Sequence, residues 1–214
     1  MTRAKSVRRG RPPIDADARR EELLDAAERV IARGVVEPSI SDIAAEAGYA
    51  RTVVYAAFPN LAAVAYALTI RHSTRLISET DEMLAQPLPL AELLRGVIDI
   101  FCTFVESHPH LYPLLMQTWV SPDETKSRPL FSWIVDWVTD VVASALATVG
   151  ADVSLARPWG SAFAGAVLLA AEDWNDRRDR SRAELVDALL ALLMPGLAAV
   201  GADRMVGPVT ARRD

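Results

Sequence analysis

The chain is poor in the residues that disulfides and metal sites need, since its 214 residues include one cysteine and three histidines. A single cysteine, Cys102, excludes a disulfide within the chain and is expected of a protein in the reducing cytoplasm. His72, His108 and His110 do not form a metal-ligand pattern with Cys102 or with paired carboxylates. The sequence therefore predicts neither a metal site nor a cofactor, and Cys102 is expected to be a small buried side chain.

Sequence signatures of catalysis are also missing. The chain has no glycine-rich nucleotide-binding motif and no Gly-x-Ser-x-Gly turn for a nucleophile. An enzyme would need a polar, titratable cleft, and the sequence supplies no constellation of residues to build one. We therefore predict a protein that is not an enzyme, and keep an enzyme only as the more distant alternative.

No segment predicts a membrane span or a signal peptide. The uncharged run from Thr52 to Ile70 is about as long as a span, but Pro59-Asn60 interrupts it. The run is therefore expected to form two helices that meet at this break. No apolar stretch follows the N-terminal arginines, so a signal peptide is not expected either.

Acidic residues outnumber basic ones, but not evenly along the chain. The net charge is -5, which argues against a protein that coats nucleic acid over its whole surface. Residues 1–60 hold 10 Lys and Arg against 9 Asp and Glu, whereas the remainder holds 13 against 19. Residues 1–13 contain five basic residues and no acid. Any contact with nucleic acid is therefore expected at the front of the chain.

The stretch SVRRGRPPI, residues 6–14, is basic and cannot be helical, because it contains two consecutive prolines. Its Arg9-Gly10-Arg11 core resembles an AT-hook, a narrow peptide that lies in the minor groove of A·T-rich DNA. We predict that Arg8, Arg9 and Arg11 form a basic arm that contacts DNA. The alternative is a solvated, disordered tail with no function of its own.

Apolar residues recur with the 3.6-residue period of α-helices, and strand-like alternation between turn signals is absent. The fold class is therefore predicted to be all-α. Helix start and stop signals place about nine helices, near residues 15–33, 40–47, 51–57, 61–84, 90–108, 109–119, 130–149, 154–176 and 181–200.

Two of the predicted helices are short and stand close together. Ser39 with Asp42 forms a near capping box that begins the first of them, and Gly48 breaks it. The second runs from about Arg51 to Ala57 and stops before Pro59. Two short helices joined by a tight turn that contains glycine are typical of a helix-turn-helix, whose second helix enters the major groove.

The stretch LLDAAERVIARGVVEPSISDIAAEAGYARTVVYAAFPN resembles the DNA-binding domain of the TetR family of transcriptional regulators, over about residues 19–70. The stretch departs from the usual family pattern in three ways. Ala50 replaces the hydroxyl residue that caps the recognition helix, Ala56-Ala57 replaces a polar or aromatic pair, and Leu61 replaces a lysine that reaches a phosphate. These changes remove donors from the DNA face, and the basic arm is expected to compensate for them.

The resemblance implies a basic arm (residues 1–14), a helix-turn-helix DNA-binding domain (15–60) and a larger helical domain for ligand binding and dimerisation (61–214). Arg51, Thr52 and Tyr55 are expected to reach bases or phosphates in the major groove. Ser39 and Tyr49 are expected to contact backbone phosphates.

The larger domain carries 11 of the 14 aromatic residues. In the family fold, aromatic and methionine side chains on several helices would line a cavity for a small apolar ligand. The expected lining residues are His72, Phe101, Phe104, Tyr112, Met116, Trp119, Trp133, Trp137 and Phe163, with Gln117 and Asp136 as further polar groups. The alternative is that these side chains only fill the core.

The last two predicted helices resemble the pair that forms a four-helix dimer bundle in this family. One contains GSAFAGAVLLAA, whose small residues let helices approach closely, and the other presents a broad leucine face. The leucines expected at the dimer interface are Leu185, Leu189, Leu192 and Leu193. A monomer core would show the same pattern.

The prediction is thus a cytoplasmic homodimer that binds double-stranded DNA, a transcriptional repressor released from a palindromic operator by a small apolar ligand, with no membrane association. The alternative is an architectural dimer that binds A·T tracts without an effector. That alternative predicts a filled core in the larger domain.

Overall fold

The computed structural model describes residues 15–35, 38–120 and 130–209, without the side chains of residues 116–120, 130, 131 and 133. These residues form nine α-helices: α1 (Ala16–Ala32), α2 (Ile40–Ala47), α3 (Arg51–Ala57), α4 (Leu61–Leu84), α5 (Leu90–Ser107), α6 (Leu111–Val120), α7 (Leu130–Thr148), α8 (Ala156–Arg177) and α9 (Arg182–Ala199). Two short 3₁₀ helices, Val153–Leu155 and Ala202–Arg204, flank α8 and α9. Within the described ranges no strand occurs, apart from a single antiparallel bridge between Pro89 and Val206. The predicted all-α class is confirmed.

Side-chain caps fix where α2 and α9 begin. Ser39 and Asp42 form a complete capping box at α2, and Ser181 and Glu184 form another at α9. In each box the hydroxyl and the carboxylate satisfy backbone N–H groups that the first helical turn leaves without partners. Both boxes confirm the starts predicted from the sequence.

The chain divides between Val64 and Ala65 into two compact units. In the first unit, α1 packs against α2 and α3. Its core is apolar and is formed by Leu23, Leu24, Ala27, Val30, Ile31, Ile40, Ile43, Val54 and Phe58. Gly48 ends α2 with a left-handed φ of 71°, a conformation that glycine adopts at no steric cost. The sharp turn between α2 and α3 therefore depends on this glycine.

In the second unit, α5 packs against α9 and α7 packs against α8. The α7–α8 packing is close at Gly160, where an added Cβ would lie 2.6 Å from the Thr139 hydroxyl oxygen. Arg182, at the start of α9, bridges Asp99 and Glu106 of α5, with both contacts at 2.8 Å. These contacts fix the helices that surround the interior of the unit.

Cys102 lies in the core of the second unit and is fully buried. Burial raises the pKa of its thiol to about 12, so the thiol stays protonated at neutral pH. The expectation of a small buried side chain is confirmed.

The uncharged run Thr52–Ile70 forms two helices, since α3 and α4 are bent by 58° at the break between them. Another segment of the described chain, Val153–Arg177, is long and apolar enough by length and composition to cross a membrane. Only 22% of its most apolar 18-residue window is buried in the protomer.

Candidate functional site

α3 presents an exposed polar face. Arg51, Thr52 and Tyr55 are exposed, and Tyr55 lies about one helical turn after both Arg51 and Thr52. Val54 and Phe58 point the opposite way and are fully buried in the first unit. The burial of these two side chains therefore determines which face of α3 is presented to solvent.

No side chain caps the start of α3, because Ala50 occupies the N-cap position. The sequence predicted this loss. The cap of α2, by contrast, engages Ser39 fully: its hydroxyl donates to the Asp42 carboxylate at 2.6 Å and accepts from the Asp42 N–H at 3.3 Å. The Ser39 hydroxyl, followed by its backbone N–H, holds the pKa of Asp42 below its usual range. The Ser39 hydroxyl could donate to a phosphate only after giving up its hydrogen bond to Asp42.

Tyr49 is half-buried, and its hydroxyl donates to the Glu22 carboxylate of α1 at 2.5 Å. This bond ties the turn between α2 and α3 to the first helix. The phosphate contact of Tyr49 remains a prediction, as do the DNA contacts of Arg51, Thr52 and Tyr55. Arg8, Arg9 and Arg11 lie outside the described residues.

Arg20 of α1 holds the end of α3. Its Nη1 donates to the carbonyl oxygen of Ala57 at 2.8 Å, and its guanidinium lies 4.1 Å from the centroid of the Phe58 ring. The carbonyl belongs to the last turn of α3, where helix carbonyls have no partner within the helix. A planar guanidinium can make both contacts at once. Arg20 therefore positions the recognition helix, a role that the sequence could not reveal because 37 residues separate the partners.

Glu46 fastens α2 to α1. Its two carboxylate oxygens accept from Arg29 Nε and Arg33 Nη1, each at 2.7 Å. These hydrogen bonds hold the pKa of Glu46 below its usual range, the Arg29 bond being the largest cause. Both arginines are thereby paired within the first unit.

The second unit contains a cavity of about 180 Å³ between α4, α5, α7, α8 and α9. The short segment after α9 closes part of it, because Val209 lines the wall and donates its N–H to the Leu84 carbonyl at 2.9 Å. The wall is formed by Ser73, Leu76, Ile77, Thr80, Leu84, Leu90, Leu94, Val97, Ile98, Phe101, Ile134, Trp137, Val138, Val141, Val142, Ala145, Phe163, Ala164, Val167, Leu168, Leu193, Leu197 and Val209.

Three of the predicted ligand-binding residues line this cavity: Phe101, Trp137 and Phe163. Three others do not, namely His72, Phe104 and Tyr112, for which the structure shows other surroundings. The side chains of Met116, Trp119, Trp133 and Gln117 lie outside the described residues. Asp136 pairs with Arg157 of α8 instead of reaching the cavity.

His72 and Phe104 belong to a separate cluster with His108. The ring centroids of Phe104 and His108 are 4.8 Å apart, and the His72 centroid lies 5.2 Å from Phe104 and 5.4 Å from His108. His108 Nδ1 lies 3.0 Å from the Phe104 carbonyl oxygen. Tyr112 is buried beside two residues of the wall: its ring centroid lies 5.9 Å from that of Phe101, its hydroxyl donates to the Leu168 carbonyl at 3.1 Å, and burial raises its pKa. These aromatic residues pack the core rather than this cavity.

The cavity wall on α4 was missed by the sequence reasoning. Ser73, Leu76, Ile77, Thr80 and Leu84 line it at the i, i+3, i+4, i+7 and i+11 positions of one helix face. This spacing is visible in the sequence, but aliphatic residues at helical spacing usually pack a core. Because the predicted lining consisted mainly of aromatic residues, it did not include this aliphatic face.

The four predicted interface leucines do not share one surface. Leu185, Leu189 and Leu193 are 6%, 4% and 7% exposed and pack in the core of the protomer beside α5. Only Leu192 is open, with 66% of its surface exposed. Three of the four leucines are thus covered within one protomer, and the dimer interface remains a prediction.

The exposed sides of α8 and α9 carry small residues around two protruding leucines. Leu169 of α8 is 64% exposed, and Leu192 of α9 is 66% exposed. An added Cβ at Gly165 or at Gly196 would meet no atom within 4 Å. On each helix the glycine and the exposed leucine stand four residues apart and therefore on the same helix face.

Comparison with protein families matches both units of the chain. Residues 23–68 match the family model described as bacterial regulatory proteins, tetR family. Residues 80–210 match a model described as tetracyclin repressor-like, C-terminal domain. An uncharacterized HTH-type transcriptional regulator from Mycobacterium tuberculosis is 27% identical over 186 residues, which cover 85% of this chain and 78% of the relative.

Solved structures share the fold. A TetR-like transcriptional regulator from Rhodococcus sp. RHA1 has a TM-score of 0.64 and 22% identity, covering 86% of this chain and 98% of its own. Thermus thermophilus FadR, a TetR family repressor crystallised with lauroyl-CoA, also has a TM-score of 0.64, with 24% identity, and covers 91% of this chain and 100% of its own.

Proposed function

Because the chain belongs to the tetR family of bacterial regulatory proteins, we propose that it is a cytoplasmic homodimeric repressor that leaves its operator when a small apolar effector fills the cavity of the second unit. The chain is a transcriptional regulator with a helix-turn-helix DNA-binding domain. The repressor role, the effector and the dimer are the parts that we propose.

The observation that carries the proposal is the apolar cavity of the second unit. Interiors pack closely, and an empty space of about 180 Å³ forgoes the packing that a filled core would provide. In a regulator, a ligand that occupies this space would supply the missing packing contacts. The Thermus repressor of the same fold was crystallised with lauroyl-CoA, which supports a ligand role for this unit.

The cavity also weighs against the alternative of an architectural dimer without an effector, since that alternative requires a filled core. Of the residues predicted to bind the ligand, Phe101, Trp137 and Phe163 support the proposal through their place in the wall.

Effector binding would act on DNA affinity through α4. This helix begins in the first unit at Leu61 and supplies one face of the cavity wall from Ser73 to Leu84. A ligand shifts a conformational equilibrium only if it binds one state better than the other. In our proposal, the occupied cavity favours a state in which the two recognition helices no longer match major grooves ~34 Å apart.

We propose that α8 and α9 of two protomers form the dimer interface. Leu169 and Leu192 would be the central apolar contacts, and the open space at Gly165 and Gly196 would let the partner helices approach closely. A two-fold symmetric dimer is also what reading a palindromic operator requires. The contacts of α3 and of the basic arm with DNA would be repeated in each half-site.

The proposal is tested by selecting duplexes from a random-sequence pool with the purified full chain. We expect the selected duplexes to contain an inverted repeat with half-sites about one helical turn apart, and two protomers to bind each duplex. The stoichiometry is measured by analytical ultracentrifugation. Selection of a non-repeated site, or binding of one protomer per duplex, would contradict the proposal.

A further inference from the structure

The walls of the cavity carry no ionisable side chain among the residues that the structure describes. Two of the three polar residues in the wall already have partners. The Thr80 hydroxyl donates to the Leu76 carbonyl at 2.7 Å, and Trp137 Nε1 donates to the Asp81 carboxylate at 3.1 Å. The third polar residue, Ser73, brings a neutral hydroxyl.

A charged group inside this cavity would find no compensating charge on the wall residues that the structure describes. Moving an isolated carboxylate from water into an apolar site is so costly that the group takes up a proton instead. Asp81 does not line the cavity, but as an acid it would disfavour an anion further. Among the described residues of the wall, a cationic ligand finds no carboxylate and an anionic ligand finds no basic group, so the wall disfavours a ligand of either charge.

The volume limits the size of the occupant. An apolar cavity of about 150 Å³ is large enough to hold benzene. The cavity here, about 180 Å³, therefore fits a molecule of roughly six to ten non-hydrogen atoms. Its wall follows α4 from Ser73 to Leu84, a separation of 11 helical steps or roughly 16 Å at the rise of 1.5 Å per residue. A slender skeleton suits this shape better than a bulky one.

We infer that the effector is an uncharged, largely hydrocarbon molecule of roughly this size, such as a medium-chain alcohol, and that the carboxylate of the same skeleton is rejected. The inference rests on the proposed function and names the chemical class of its effector. It separates this chain from the Thermus repressor, whose crystallised ligand, lauroyl-CoA, combines a longer acyl chain with a charged head.

The test is isothermal titration of the full chain, without DNA, with octan-1-ol and with octanoate. A carboxyl group with an ordinary pKa of about 4.3 is protonated in roughly one molecule in 500 at pH 7. Because only the protonated acid would enter, we expect octanoate to bind hundreds of times more weakly than octan-1-ol at pH 7. Its apparent affinity should rise about tenfold for each pH unit from 7 down to 5, while that of octan-1-ol stays constant.

Two matched variants on α7 assign the binding to this cavity. Ala145→Leu places extra carbon atoms into the void, whereas Ala147→Leu makes the same change at an exposed position outside the wall. We expect octan-1-ol binding to be lost in Ala145→Leu and retained in Ala147→Leu. Thermal unfolding of both variants shows that they are folded, since filling a void is tolerated if volume allows.

Three results would overturn the inference: octanoate binding as tightly as octan-1-ol at pH 7, no binding of octan-1-ol to the wild-type chain, or equal binding by Ala145→Leu and wild type. Since no DNA is present, such a failure leaves the proposed DNA-binding function standing. A failed duplex selection would, conversely, leave the ligand result intact.

Discussion

Replacing Arg20 with methionine should loosen the end of the recognition helix without removing a DNA contact. Methionine keeps much of the apolar stem but loses the bond to the Ala57 carbonyl and the stacking on Phe58. A hydrogen bond that involves a charged group contributes about 1.5–3 kcal/mol. A cation–π contact at a partly exposed site adds about 0.5–1 kcal/mol. Because Arg20 is only half-buried, we expect a loss of about 2–3 kcal/mol.

The assay is hydrogen exchange of the α3 amides in the full chain, with Phe58 as the reporter, because its N–H donates to the Val54 carbonyl at 2.8 Å. A loss of this size would speed exchange there by roughly 30- to 150-fold if α3 opens locally. Affinity for the selected duplex should fall, while the slope of log affinity against log salt stays unchanged. A lysine at this position keeps the charge but not the planar stack. Exchange at Phe58 and DNA affinity in Arg20→Lys should therefore lie between those of wild type and Arg20→Met.

The salt slope decides between positioning and direct contact. If Arg20 bound a phosphate instead, Arg20→Met would lower the slope by about 0.9 and Arg20→Lys would largely restore it. Unchanged exchange at Phe58 together with a reduced slope would refute the positioning role.

Three further predictions concern the interface, the arm and the first unit. Leu192→Glu should yield monomers in sedimentation, whereas Val206→Glu, at an exposed position outside α8 and α9, should remain dimeric; a dimeric Leu192→Glu would contradict the proposed interface. Deleting residues 1–12 should weaken DNA binding and flatten the salt slope, by about 0.9 for each phosphate that the arm neutralises, and an unchanged slope would mean that the arm is only a tail. Glu46→Gln should destabilise the first unit at pH 7, because the folded state lowers the pKa of Glu46 and so favours its ionised form. This stabilisation is complete above the ordinary pKa of a glutamate and is lost as the pH falls through the lowered pKa of the folded state. The stabilities of wild type and Glu46→Gln should therefore converge once the pH falls below the lowered pKa of Glu46, and a difference that persists in more acidic solution would assign the effect to something other than ionisation.

The helices could be predicted closely because their ends are coded locally. The boxes at Ser39 and Ser181 and the left-handed glycine at 48 are each read within a few residues of sequence. Arg51, Thr52 and Tyr55, which the family resemblance indicated, are exposed on α3, while Val54 and Phe58 are buried.

The interior of the second unit could not be predicted in the same way. A leucine on α9 reaches the core or the surface according to the angle at which α9 meets α5, which helical spacing alone does not determine. Leu193 and Leu192 are neighbours in sequence, yet one lines the cavity and the other is exposed. His72 and Phe104 were likewise grouped with the cavity by residue type, whereas tertiary packing places them in a cluster with His108.

The most direct test of the account is the release of DNA by a ligand bound in the cavity. Fluorescence anisotropy of the selected duplex is followed while octan-1-ol is added to wild type, Ala145→Leu and Ala147→Leu. Coupling between two sites typically changes affinity by about 5- to 150-fold. On addition of octan-1-ol, we expect wild type and Ala147→Leu to lose DNA affinity by a factor of that order, and Ala145→Leu to lose none. Undiminished DNA affinity of the wild-type chain at concentrations where titration shows the cavity filled would contradict the account.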